Sequence, residues 1–181
     1  VVHNGIIENS DKLKKEYESK GYIFKSQTDT EVITVILTDY LKTENLIDSI
    51  YKTLNKLIGS FALGVIFKDF EDVVVGARLG SPLAVGYGHN ENFLGSDSYA
   101  LKTMTNKISY LDDGDFCLLY KEKIEFYNSD KKKINKKIFE LSNEKNIAEK
   151  GDYKDFMSKE IDEQSYTTCL LYTSPSPRDS S

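Results

Sequence analysis

The chain has 181 residues, 39% hydrophobic and 29% charged, with a formal net charge of -5. That length suits one domain with a real core. The acidic balance argues against a general nucleic-acid surface, and no apolar run approaches the roughly 18 residues that a membrane span needs. Two cysteines, Cys117 and Cys169, give no disulfide framework, and two histidines, His3 and His89, show no metal-ligand spacing. No cofactor is therefore expected, and a reducing cytosol is the expected compartment.

In chain order, Val1-Val2 opens inside an apolar, strand-like run, with no initiator methionine and no visible signal peptide. Ser10 as N-cap, Leu13 and Tyr17 four apart, and Gly21 at C′ predict a short helix over 11–20. Tyr22 to Lys25 reads as a short strand. Thr28-x-x-Glu31 reads as a capping box opening a helix in which Val32, Ile33, Ile36, Leu37, Tyr40 and Leu41 recur at helical spacing. A third helix is predicted over 44–57, with Leu46, Ile47, Ile50, Tyr51, Leu54 and Leu57 on one face.

From residue 60 the pattern turns to strands. The runs 60–67 and 72–78 flank a hairpin-like turn at Lys68-Asp69-Phe70-Glu71, and their continuous apolarity predicts cover on both faces. Gly80-Ser81-Pro82 breaks the pattern. A run at 83–88, a brief strand at 93–95 and a short helix near 97–103 capped by Ser96 follow. Runs at 108–111, 115–121 and 123–127 read as the end of a meander. Residues 128–150 are polar and lysine-rich, and 153–163 reads as a last helix with Phe156, Met157 and Ile161 on its apolar side. Residues 165–181 carry no period, and Pro175-Ser176-Pro177-Arg178-Asp179 reads as a translated cloning scar, so this tail and its Cys169 are set aside from the fold.

Several segments invite chemical readings. Asn4-Gly5 offers a side-chain amide and a close-approaching backbone N–H to an oxyanion, but the same dipeptide is the commonest two-residue hairpin turn. Asp29 sits at the head of a helix, where a carboxylate is favourable for the dipole alone; if Thr28 caps, Asp29 is free to pair with a ligand ammonium. Gly80-Ser81-Pro82-Leu83 lacks the lysine of a phosphate loop and reads as a tight turn. Asp112-Asp113-Gly114-Asp115 lacks the closing glutamate of a calcium loop and reads as a hairpin turn. The Lys131-Lys132-Lys133 run, with Lys136 and Lys137, reads as a solvated loop or edge strand rather than a phosphate patch. Cys117, within an apolar strand, reads as an inert thiol.

Taken together, collinear segments over about 1–164 resemble one family. They are Val1-Val2-His3-Asn4-Gly5-Ile6-Ile7-Glu8-Asn9, Thr28-Asp29-Thr30-Glu31-Val32-Ile33, Gly59-Ser60-Phe61-Ala62-Leu63 and Ala77-Arg78-Leu79-Gly80-Ser81-Pro82-Leu83. They continue through Glu91-Asn92-Phe93-Leu94-Gly95-Ser96-Asp97, Tyr110-Leu111-Asp112-Asp113-Gly114-Asp115, Gly151-Asp152-Tyr153, Phe156-Met157, Lys159-Glu160-Ile161 and Glu163-Gln164. The set resembles the glutaminase (type 2 glutamine amidotransferase) domain of the glucosamine-6-phosphate synthases, the isomerizing glutamine–fructose-6-phosphate aminotransferases.

The resemblance implies an α/β (α+β) N-terminal-nucleophile hydrolase fold, a four-layer α/β/β/α sandwich. It implies L-glutamine as substrate, fructose-6-phosphate at a separate sugar-isomerase domain, a cytoplasmic homo-oligomer, and no nucleic-acid or membrane partner. Carried over residue by residue, Asn4 and Gly5 match the oxyanion-hole pair and Asp29 the residue that binds the glutamine ammonium. The implied organisation is a partial amidotransferase domain over 1–150, the start of a linker over 151–164 and a non-native tail over 165–181. In the family an N-terminal cysteine is the nucleophile and an arginine grips the glutamine carboxylate; neither matching segment is in this chain. The expectation is an internal fragment that folds weakly and does not cleave glutamine unaided. The alternatives are another type 2 amidotransferase, such as amidophosphoribosyltransferase or asparagine synthetase, or a non-catalytic domain of this fold.

Overall fold

The computed structural model describes residues 1–141 of the chain. The predicted last helix over 153–163, the linker and the tail, with Cys169, lie outside those residues. β1 (Val2–Ile7) leads to three helices, α1 (Ser10–Ser19), α2 (Asp29–Leu41) and α3 (Leu46–Lys56). Then come β2 (Gly59–Ile66), β3 (Val74–Leu79), β4 (Ala84–Tyr87), β5 (Asn92–Gly95) and the one-turn α4 (Ser98–Leu101). β6 (Lys107–Tyr110), β7 (Phe116–Leu119), β8 (Ile124–Tyr127), β9 (Lys133–Ile134) and β10 (Phe139–Glu140) complete the described chain. Ten strands form two antiparallel sheets. One has the order β1-β2-β3-β7-β8-β9; the other, β10-β6-β4-β5.

The continuous apolar runs are covered on both faces, as their pattern predicts. Phe61, Leu63 and Val65 of β2, Val75 and Ala77 of β3, and Phe116 and Leu118 of β7 face one way. They pack under Leu13 and Tyr17 of α1, Val32, Ile33 and Ile36 of α2, and Ile50 of α3. The alternate residues Ala62, Cys117 and Leu119 face the second sheet, where Leu83, Val85 and Leu111 meet them. This period-2 division of one strand between two interfaces is what makes layered packing obligatory. Beyond the second sheet, Leu101 of α4 packs on Ala84 and Ile108, so the outer helical layer among the described residues is that single turn.

Local signals hold in part. α1 ends as its Gly21 predicts: Gly21 has φ +90°, its N–H reaches Glu18 O, and Tyr22 N–H reaches Tyr17 O, satisfying two orphan carbonyls. Its N-cap is Asn9 rather than Ser10, and the Asn9 side chain turns away to Lys56 O and Ile58 N–H, joining α1 to the entry of β2. α2 starts where Thr28 predicts, but the capping box does not form. Glu31 instead accepts from the Lys25 and Ser26 N–H groups and the Ser26 hydroxyl.

Those bonds also explain why Tyr22–Lys25 is not a strand. The Tyr22 N–H is taken by Tyr17 O at the end of α1 and the Lys25 N–H by the Glu31 carboxylate, while Tyr22 and Phe24 pack on the core without a ladder partner. The short helix α4 is capped by Asp97, which accepts from Ala100 N–H, not by Ser96. The runs at 108–111 and 116–119 are not one meander: β6 belongs to the second sheet and β7 to the first. Asp112–Asp115 is therefore a crossing between sheets and not a hairpin. β9 and β10 are strands inside the stretch read as polar.

Candidate active site

Asn4 and Gly5 lie in the middle of β1, not in a turn. A two-residue I′ turn needs φ > 0 at both positions, and Asn4 is not among the residues with positive φ. Gly5 does have φ +133°, and a Cβ there would lie 2.0 Å from Ser60 O. On β2, Gly59, which pairs with Ile7, has φ +140°, with a hypothetical Cβ 2.1 Å from Ile6 O. The two glycines let β1 and β2 close where Ile6 pairs with Ser60.

The direction of the Gly5 N–H follows from strand parity. Ile7 N–H donates to Asp29 Oδ2 at 2.9 Å, so it points away from β2, whereas Glu8 N–H donates to Ile58 O on the β2 side. Donors alternate along an antiparallel strand. Gly5 N–H therefore points the same way as Ile7 N–H, toward the side of β1 where no strand pairs among the described residues. A backbone donor free at a sheet edge is what an oxyanion hole requires.

Side chains alternate likewise. Val2 and Asn4 face a cleft between the two sheets, about 410 Å³, whose other walls include Ala62, Leu83, Leu94 and Ser96. His3 and Ile7 face the helices: Ile7 is in the core, and the His3 imidazole sits 3.1 Å by Nδ1 from Thr30 Oγ1 and 3.5 Å from Asp29 Oδ1. Asp29 is the first helical residue of α2 rather than its cap. It keeps about a quarter of its side-chain surface exposed and lines a polar depression with Ser10, Asp11, Lys14, Gln27 and Thr28. Asn4 and Asp29 thus approach β1 from different sides and line different depressions. What unites them is the strand edge, where the Asp29 carboxylate meets the backbone two residues beyond Gly5. His3 drew no reading as a site residue because a histidine beside Asn-Gly carries no motif; its burial and its contacts with Thr30 and Asp29 are visible only in the fold.

The remaining candidates resolve to structure. Gly80 turns with φ +75°, and its N–H donates to Asp113 Oδ1 at 2.8 Å, with Arg78 bonded to Leu111 O and lying beside Asp113. Lys136 is engaged by Asp112 and Asp115. Burial lowers its pKa, but the hydrogen bonds to the two carboxylates outweigh burial and raise it. Lys131 pairs with Asp48 and Lys133 with Glu125, as a solvated edge would. No cluster of potential metal ligands occurs among the described residues, and no described helix is long and apolar enough to cross a membrane. Cys117 is fully buried, and burial pushes its thiol up to about 12.

The profile described as the glutamine amidotransferase domain matches residues 1–103. Three isomerizing glutamine–fructose-6-phosphate aminotransferases are similar over 91% of this chain: that of Zymomonas mobilis at 45% identity, of Mesorhizobium japonicum at 43% and of Clostridium acetobutylicum at 46%. The chain spans 27% of the length of each. Among solved structures, the glutamine phosphoribosylpyrophosphate amidotransferase of B. subtilis, complexed with ADP and GMP, superposes with a TM-score of 0.62 at 23% identity. The match covers 71% of this chain and 28% of that one. The likeness is one of fold: the sheets and helices are those of the N-terminal-nucleophile hydrolase sandwich.

Proposed function

Because this chain belongs to the glutamine amidotransferase domain family, we propose that it supplies the glutamine-recognising edge of an isomerizing glutamine–fructose-6-phosphate aminotransferase. In this reading glutamine lies along the open side of β1. Its ammonium pairs with Asp29, and its carboxamide oxygen takes the Gly5 N–H, with the Asn4 amide reaching over the strand edge as second donor. The observation that carries the reading is the Asp29–Ile7 bond at 2.9 Å. It sets a carboxylate two residues, about 7 Å along a strand, from the free Gly5 donor, a spacing comparable to the reach of a glutamine side chain.

The chemistry follows from what these groups stabilise. Attack on a carboxamide moves charge onto its oxygen, and preorganised donors lower the cost of that charge. The Asp29 carboxylate binds the ammonium in ground and transition states alike, so its contribution is to affinity and orientation. The nucleophile is not supplied by Cys117, which is buried and has its pKa raised by that burial. Ammonia transfer to fructose-6-phosphate belongs to this same proposal, supported by the names of the relatives; homo-oligomerisation and a cytoplasmic setting belong to it on the family resemblance alone. So does the assignment of 1–150 to the amidotransferase domain, 151–164 to a linker and 165–181 to a non-native tail.

Calorimetric titration with L-glutamine tests the reading. Wild-type chain is expected to bind in the millimolar range. Asp29→Ala should bind at least about 10-fold more weakly, as expected for loss of a charge-assisted bond. Equal affinity in the two proteins removes Asp29 from the site.

A further inference from the structure

His3 is a buried polar side chain to which the proposed chemistry gives no task. Only 2% of its side chain is exposed, and its Nε2 is buried with no hydrogen-bond partner among the described residues. A buried imidazole nitrogen without a partner is costly, so filling space alone would favour an apolar side chain here. The other nitrogen explains what offsets the cost. Nδ1 lies 3.1 Å from Thr30 Oγ1 and 3.5 Å from Asp29 Oδ1, a geometry the Nδ1–H tautomer satisfies by donating toward both oxygens.

Two contacts therefore bracket Asn4-Gly5, and both end on one carboxylate. His3, just before the pair, faces Asp29 Oδ1; Ile7, two residues beyond Gly5, donates its N–H to Asp29 Oδ2. A carboxylate approached at each oxygen from one strand has its rotation fixed relative to that strand. Without the imidazole, Oδ1 keeps only the long 3.5 Å bond from the neighbouring Thr30 hydroxyl, while Oδ2 stays on Ile7.

We propose that His3 is a positioning residue: it fixes the Asp29 carboxylate against the Asn4-Gly5 strand, so that ammonium anchor and carbonyl donors meet an amino-acid ligand at one separation. The proposal rests on the glutamine reading above. It concerns the coupling between the two ends of the ligand, so its signature is discrimination rather than affinity alone. A ligand carrying the ammonium should lose more from the removal of His3 than one lacking it.

The test is NMR titration of the 181-residue chain with L-glutamine and with 5-amino-5-oxopentanoate, which has the carboxamide but no α-ammonium. The ratio of the two dissociation constants is the readout. In His3→Leu the preference for glutamine is expected to fall about 10-fold, the size of a lost hydrogen bond to a charged group, and Ile7 amide exchange to quicken. His3→Asn, whose side-chain N–H can stand near the Nδ1 position, should retain most of the preference. His3→Phe, which keeps an aromatic ring in the same space but offers Asp29 no N–H, should lose the preference as His3→Leu does, and it carries the test by the same criterion if His3→Leu does not fold.

A merely structural histidine would lower stability, or both affinities equally, and leave the ratio unmoved. An unchanged ratio in His3→Leu or His3→Phe, with wild type discriminating, overturns the role of His3 alone. A wild-type chain that shows no preference for glutamine overturns the Asp29 reading itself, and the positioning role with it.

Discussion

At Gly5 two demands coincide: a backbone with φ +133° and a neighbouring carbonyl where any Cβ would sit. Gly5→Ala is therefore expected to cost at least about 3 kcal/mol, from strain plus the steric conflict with Ser60 O. Denaturant unfolding measures it, and a loss below about 1 kcal/mol would show that β1 can shift away from β2. Cys117 makes the opposite kind of prediction. Its thiol, pushed up by burial to about 12 and fully enclosed, should resist iodoacetamide in the native chain at pH 8 and react on denaturation. Rapid native alkylation contradicts that burial.

The individual residues also mark where sequence reasoning ran out. Asn4-Gly5 has the composition of a turn. That Gly5 alone of the pair takes positive φ, against the Ser60 carbonyl on the facing strand, is a tertiary fact that no dipeptide carries. Asp29 was legible as a helix-head carboxylate; its bond to the Ile7 backbone was not, because it joins residues 22 apart in sequence.

At the scale of elements, the described helices α1 to α3 were found because each carries its own period, whereas the N-terminal signals read at Ser10, Thr28-x-x-Glu31 and Ser96 do not cap as their residue types suggest. Strand membership was harder. Ile108–Leu111 and Phe116–Leu119 look alike as apolar runs, yet they belong to different sheets, and the intervening Asp112–Asp115 is pinned by Arg78, Gly80 and Lys136 rather than by a hairpin ladder. Tyr22–Lys25 had strand composition, but its end donors go to Tyr17 O and the Glu31 carboxylate rather than to a ladder. At β9 the lysine run left loop and edge strand both open, and the edge strand is what forms, lysine being a usual residue at a protected sheet edge.

That edge yields a pH prediction. Lys133 and Lys123 hold the Glu125 carboxyl down at about 2, below its ordinary value of 4.5. A depressed carboxyl stabilises the fold above its unfolded-state pKa, and the contribution is lost as pH falls from about 4.5 toward 2. Both lysines are mostly exposed, so screening reduces the effect to on the order of 1 kcal/mol. In Glu125→Gln the fall in melting temperature between pH 5 and pH 2.5 should be smaller than in wild type. An identical acid profile would show that the carboxyl is not held down by its neighbours.

For the molecule as a whole, the layered architecture was legible from runs apolar at nearly every position, which require cover on both faces. The edge position of β1 ties fold to function. Its unpaired side offers the Gly5 donor, and the same edge exposes Val2 and Ile6, surface of the kind that promotes association. With its only described cysteine buried, the 181-residue chain is expected to release no ammonia from glutamine above an Asp29→Ala control; hydrolysis above that control would mean another group attacks.

The claim that glutamine lies along this edge is tested most directly by the backbone amide of Gly5. In a 15N-labelled chain titrated with L-glutamine, the Gly5 and Ile7 amide resonances should shift together and saturate at one dissociation constant, and in Asp29→Ala the Gly5 shift should be lost over the same range. Saturable shifts elsewhere with Gly5 unmoved, or a Gly5 shift that persists unchanged in Asp29→Ala, would contradict the account.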